Sequence, residues 1–198
     1  MKDNYFPGNL LLRAFILLYL VSCATQSNIP RFSPVYLTDK ASYYLLPARE
    51  IEKPLDCAQQ ITVNYDKQEF TLDAWVRADE SGIEIALFTP MGISMGDFSF
   101  SDSGVSLDSP VFPPSFKAEY MAADFQLCYF HPEALRFALA EIGLSFEIFD
   151  NKNDDGMPFE IRRISESGKI IIEINKTGNE IQYTNLLRGY GYILREAD

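Results

Sequence analysis

The residues of this chain best suited to a covalent reaction are Leu20-Val21-Ser22-Cys23. They close an uncharged apolar run, Ala14 to Val21, that follows a segment carrying Lys2 and Arg13. A basic stretch, a short apolar stretch and a small residue before the cut are the parts of an export signal. A cysteine directly behind that small residue is the thiol that a lipidating enzyme acylates. Residues 1–22 therefore read as a lipoprotein signal peptide and Cys23 as the lipidation site. The run is too short to cross a hydrocarbon core of about 30 Å, which takes about 20 apolar residues. Acyl chains would supply the attachment instead, at about 0.8 kcal/mol per buried CH₂, and two or three chains make it stable. Two other readings of the same residues stay open: an ordinary secretory peptide with a chance cysteine, and a short anchor that is never cut.

The rest of the chain offers little to a catalytic reading. Its single histidine, His131, stands directly before Pro132 at a helix start, a place for capping or packing. Gly92-Ile93-Ser94-Met95-Gly96 has the Gly-x-Ser-x-Gly spacing, but it falls among successive strand stretches and not at the strand-to-helix turn of a nucleophile elbow, and there is no paired metal-ligand motif. Asn151-Lys152-Asn153-Asp154-Asp155-Gly156 resembles the start of a calcium loop, yet Arg162 occupies the twelfth position, where a bidentate Glu belongs. That segment reads as a hairpin loop. Two acids facing across a cleft would suit glycoside hydrolysis, but nothing singles out a pair among 28 acidic residues. No catalytic residue, metal or cofactor is assigned, and the chain reads as a non-enzyme. Cys57 and Cys128 leave two readings: a disulfide closing a loop of about 70 residues, worth roughly 4 kcal/mol, or two buried free thiols.

Charge narrows the partners. The 198 residues carry a formal net charge of −11. Nucleic acid is excluded as a partner because its phosphates need clustered Lys and Arg. Electrostatic docking on anionic lipid is disfavoured for the same reason. Removal of residues 1–22 leaves 176, a chain of single-domain size with room for a substantial core.

The elements that must position any site follow from periodicity. Residues 23–42, rich in Ser, Thr, Asn and Pro, read as a lipidated tether, with the folded domain spanning 43–198. Stretches 60–66, 69–78, 83–89, 93–101 and 104–108 alternate like strands and are separated by turn residues. Gly96 marks a bulge, since Phe98 and Phe100 fall out of phase with Ile93 and Met95. Residues 115–129 form a helix with two opposed apolar stripes, as expected of a helix held between layers. On it, Asp124 and Gln126 fall along the edges between the stripes. A second helix runs from Pro132 to Ile142, with Phe137 turned away from its core stripe. Strands resume at 144–150, 158–165, 169–175, 180–187 and 189–195. Ten strands with two helices inserted centrally make a mainly β, α+β fold.

The segment Ala123-Asp124-Phe125-Gln126-Leu127-Cys128-Tyr129-Phe130-His131-Pro132-Glu133-Ala134-Leu135 resembles the central signature of a family of uncharacterised Gram-negative lipoproteins. Leu87-Phe88-Thr89-Pro90-Met91-Gly92, Arg162-Arg163-Ile164 and Gly189-Tyr190-Gly191-Tyr192 extend the resemblance over roughly residues 57 to 196. Phe130-His131 departs from it, since the family usually has Trp followed by another residue. The Leu-x-Thr-Pro-x-Gly hairpin is also similar to one in the lipoprotein-localisation carriers LolA and LolB. That likeness implies an incomplete antiparallel β-barrel, a half-barrel with its two helices as plug and lid over a cavity for acyl chains. Ala24 behind Cys23, in place of a retention Asp, resembles the sorting pattern of the outer membrane.

The function expected is an outer-membrane, periplasm-facing lipoprotein, attached to the membrane by its N-terminal lipid. It would bind a lipidic or acylated cargo in an apolar cavity and assist its transport or insertion. Trp75, Phe88, Met91, Phe98, Met121, Phe125 and Phe137 are the candidate lining or lid residues. The alternative is a non-catalytic accessory subunit that docks an envelope protein partner and has no lipid cavity. In cells fed a labelled fatty acid, Cys23→Ala is expected to abolish label incorporation and leave residues 1–22 attached; retained label refutes the lipidation reading.

Overall fold

The computed structural model describes residues 32–113, 115–152, 156 and 158–197, the side chain of Asn151 excepted. Residues 1–22, Cys23 and the first part of the tether lie outside the described residues. The chain forms β1 (Val35–Tyr36), β2 (Ser42–Tyr43), a 3-10 turn (Ala48–Glu50), β3 (Leu55–Tyr65), β4 (Gln68–Asp79), β5 (Gly82–Phe88), β6 (Ser94–Ser101) and β7 (Gly104–Asp108). Helices α1 (Ala118–Tyr129) and α2 (Pro132–Glu141) follow. The chain ends in β8 (Ser145–Lys152), β9 (Pro158–Glu166), β10 (Lys169–Thr177), β11 (Glu180–Asn185) and β12 (Tyr190–Glu196). Among the described residues, ten of these strands make one antiparallel sheet in the order β7-β6-β5-β4-β3-β12-β11-β10-β9-β8. Two five-stranded meanders are thus joined where β3 pairs β12, and β7 and β8 form unpaired outer edges. The sheet is open and is not a closed barrel.

Register assigns every strand residue to a face, because side chains alternate with period two. Ile61 pairs Leu72 and Leu194, Val76 pairs Ile85, Ile85 pairs Phe98, and Tyr183 pairs Tyr192 and Ile174. These residues share the inner face, which the helices cover. Thr71, Asp73, Arg77, Glu84, Ser99 and Glu173 share the outer, polar face. The expected bulge is present: between Leu87 paired with Gly96 and Phe88 paired with Ser94, Met95 is the extra residue. Gly96, at φ +141°, leaves no room for a side chain, since a Cβ would stand 2.5 Å from that of Ser109.

The folded domain begins before residue 43, which corrects the tether boundary. Val35, Leu37, Ala41 and Tyr43 are all buried. The segment from Phe32 to Ile51 is a strap laid over α1, so that helix lies between strap and sheet, as its two apolar stripes require. Gln126 decides this contact: its Oε1 accepts from the Tyr43 hydroxyl at 2.8 Å and the Leu46 amide at 3.0 Å, and its Nε2 donates to the Leu46 carbonyl at 2.9 Å. Thr38 Oγ1 donates to Glu166 at 2.9 Å and the Ala48 amide donates to Asp102 at 3.1 Å, pinning the strap to both halves of the sheet. His131 neither caps nor packs. Its side chain makes no capping bond and is exposed, while its amide donates to the Glu50 carbonyl at 2.7 Å.

Arg162, on β9, is fully buried. Its Nε donates to Glu160 at 2.6 Å, its Nη2 to Glu52 at 3.0 Å, and its Nη1 to the Phe130 and Leu127 carbonyls at 3.0 and 3.2 Å. Helix α1 has no basic residue in its last turn. The cation that complements its C-terminal carbonyls comes from the sheet instead. Glu160 also pairs with Lys176 at 2.9 Å. Burial pushes the Glu160 carboxyl up, but Lys176 and Arg162 outweigh this and hold it below its ordinary value. Arg162→Met should destabilise the domain by about 3–5 kcal/mol in urea unfolding, because two carbonyls and two carboxylates each lose a partner. Glu52→Gln, at a partly exposed position, should cost less than about 1 kcal/mol. Equal losses would remove Arg162 from this role.

Candidate functional site

A cavity of about 860 Å³ lies between the inner face of the sheet and α1. Helix α1 contributes Tyr120, Met121, Asp124, Phe125 and Cys128 to its wall, a spacing that places all five on one side of a helix. The floor is built from Ile61 and Val63 on β3, Leu72 and Val76 on β4, Ile85 and Leu87 on β5, and Leu194 on β12. All are inner-face residues in the observed register. Tyr65, Phe70 and Phe116 also line the cavity but are 61%, 47% and 38% exposed, which marks the end where it opens. Helix α1 packs beside β7 on one flank and is bonded to β11 and β12 on the other. The cavity lies under that span.

Three charged residues line it, and Asp124 is the least exposed of them. Asp124 Oδ1 accepts a hydrogen bond from the Tyr183 hydroxyl at 2.7 Å, and Oδ2 accepts one from Tyr190 at 2.9 Å. Tyr183 is sandwiched by rings, with Tyr192 stacked at 4.6 Å and Tyr190 at 5.9 Å between centroids. Gly191 is obligatory here, because a Cβ would stand 2.6 Å from the Tyr183 carbonyl. Burial pushes the Asp124 carboxyl up to about 6, against the hydrogen bonds from Tyr183 and Tyr190, which pull it down. Lys117 and Arg188 also line the cavity and are exposed.

Of the seven expected lining residues, the structure brings Met121 and Phe125 together in the cavity wall. The other five lie elsewhere. Trp75 and Phe88 are on the outer face, since Trp75 pairs Ala86 and Phe88 pairs Asp73. Trp75 is 49% exposed, and its indole nitrogen donates to Asp56 at 3.0 Å. Phe98 is on the inner face but is buried in solid core beside the cavity. Met91, in the β5–β6 turn, and Phe137, on α2, are 83% and 74% exposed and are not part of this cavity's lining. Cys57 and Cys128 are free thiols, so the disulfide reading does not hold. Cys57 lies 3.7 Å from Gln59 Nε2, and Cys128 faces the cavity. Burial pushes both up, to about 11 and about 12, leaving no thiolate at neutral pH.

A family model described as a protein of unknown function (DUF3261) matches residues 56–196. The chain belongs to this family. The DUF3261 match takes in all ten strands of the sheet and both helices, and hence the cavity with Asp124 and the Gly189-Tyr190-Gly191-Tyr192 segment. No curated protein matches the chain.

Sequence reasoning missed Asp124 and its tyrosines as cavity residues. The available signal was the pairing of two short motifs, Asp-x-Gln-Leu and Gly-Tyr-Gly-Tyr, both placing polar groups in apolar surroundings. The raised Asp124 value fixes a direction in pH. The folded state holds this proton more tightly than the unfolded chain, whose value lies near 3.8. Its contribution to stability is therefore full below about pH 4 and is lost as pH rises through about 6, by on the order of 2–3 kcal/mol. Urea unfolding at a series of pH values should show wild type losing this much relative to Asp124→Asn between about pH 4 and 7; parallel pH profiles contradict it.

Proposed function

We propose that this protein is a periplasm-facing outer-membrane lipoprotein, anchored through Cys23, that holds a lipidic or acylated cargo and assists its transport or insertion in the envelope. The proposed architecture is the LolA/LolB-like half-barrel, an open sheet curled over its ligand. The observation that carries the reading is the cavity of about 860 Å³ under α1. That volume lies within the range of about 300–1,000 Å³ usual for small-molecule sites. Its floor of Ile, Val and Leu side chains offers an acyl chain burial worth about 25 cal/mol per Å². Among the described residues no helix is long and apolar enough to cross a membrane.

The helices take different parts from those of a mobile lid. Helix α1 is tied at Gln126, Asp124 and its C-terminus, so it serves as a fixed wall. Cargo would enter and leave past Tyr65, Phe70 and Phe116, where the wall is open. The accessory-subunit reading keeps one observation of its own, the exposed Phe137 on α2.

Native-condition mass spectrometry of the protein purified with and without its lipid anchor should find a stoichiometric acyl-bearing lipid. Ile61→Trp, which fills the floor, should reduce that lipid several-fold, whereas Trp75→Ala on the outer face should leave it unchanged. A protein that is empty under all conditions but captures one envelope protein through Phe137 would replace the carrier with the adaptor.

A further inference from the structure

The carrier reading leaves the chemistry of the cargo's polar end open, and the cavity contains one group able to choose it. We propose that Asp124 selects amphiphiles whose head is a hydrogen-bond donor, above all a protonated amine, and rejects those ending in a free carboxylate. This rests on the carrier reading and deepens it.

Four observations meet at this residue. Asp124 lines the cavity and keeps part of its surface accessible. Both carboxylate oxygens are already oriented, one by Tyr183 and one by Tyr190. Each oxygen retains acceptor capacity, since an ionised carboxylate has about four lone-pair sites and no donor. Among the described residues Asp124 makes no ion pair within 4.0 Å, although it lies in a predominantly apolar chamber. Its cationic neighbour Arg188 acts on it from an exposed position and forms no ion pair with it, so this half-buried carboxylate is incompletely compensated. An ammonium head would supply both the missing charge and further donors. A carboxylate head would face a like charge at short range and bring no donor of its own.

The tyrosines make the site selective as well as polar. Stacking fixes Tyr183 between Tyr190 and Tyr192, so the two hydroxyls cannot swing away to serve as donors to an anionic head without breaking their bonds to Asp124. Lys117 and Arg188 stand at exposed positions on the wall, and Arg188 donates to the Tyr36 carbonyl. An anion on the same molecule would find them outside the inner chamber. The groups facing Asp124 are Tyr183, Tyr190, Tyr192 and Arg188 from the sheet side and Cys128 from its own helix. The tyrosines and the thiol are displaced upward by burial, so a change between weakly acid and weakly alkaline solution is carried by Asp124.

Displacement of a fluorescent apolar probe by dodecylamine, dodecanol and dodecanoate tests this, with salt of about 0.3 M to suppress attraction to the acidic surface. Near pH 8 dodecylamine should compete roughly tenfold better than dodecanoate on wild type, and Asp124→Asn should bring the two within about twofold. Wild type alone should lose most of the advantage of dodecylamine over dodecanol, neither of which changes charge between pH 8 and 5, at about pH 5, which keeps the test valid if the variant fails to fold. Equal competition by the two ions on wild type near pH 8, or a preference that survives in Asp124→Asn, overturns the assignment. Dodecanol separates the two levels: if it competes while the amine shows no advantage, only the head-group inference falls. If none of the three displaces the probe, the carrier reading falls with it.

Discussion

The structure depends on one buried cation. Arg162 reaches across from β9 to the end of α1 and to Glu52 on the strap, joining sheet, helix and N-terminal segment in a single charge-assisted network. A guanidinium in the core is costly unless nearly every donor is used, and here the bonds go to two carboxylates and two helix-terminal carbonyls. The same network stops α1 at Phe130, where the chain bridges to Ile51 before entering α2. Position and direction of the helix follow from that stop.

With its C-terminus held by Arg162, α1 is oriented by two further polar contacts on opposite sides. Gln126 turns to the strap and Asp124 turns to the sheet. Two residues apart on a helix point roughly 200° from each other, so Asp-x-Gln can grip both layers at once. The consequence of that arrangement is a helix that spans the central strands without settling on them, and the space beneath is the cavity. A carboxylate in such a space is there by construction, because the residue that spaces the helix from β11 and β12 must look into it.

Much of the fold is legible in the order of the residues. All ten strands of the large sheet and both helices fall close to their expected places, because turn residues and alternation report local backbone preference. The bulge beside Gly96 is legible too, from the phase slip between Met95 and Phe98. The lining residues are not. Trp75 and Phe88 qualify by size, yet register with Asp73 and Ala86 places them on the outer face. Met91 and Phe137 are large and apolar and are exposed, since a turn and the far side of a helix bury nothing. Val35 and Leu37 are hidden among tether-like neighbours, and their burial arises from contact with a helix that follows much later in the chain.

By itself the sequence determined the alternation of strands, the two-sided character of α1, the acidic net charge and the export-like segment ending at Cys23. These are properties of composition and short-range spacing. The tertiary structure alone decided that Asp124 meets Tyr183 and Tyr190, that Arg162 and not Arg163 is buried, and that an apolar chamber remains under α1. Each depends on strand register and on pairings between residues tens of positions apart. Such contacts are set by which faces can close against one another, and no local pattern encodes that.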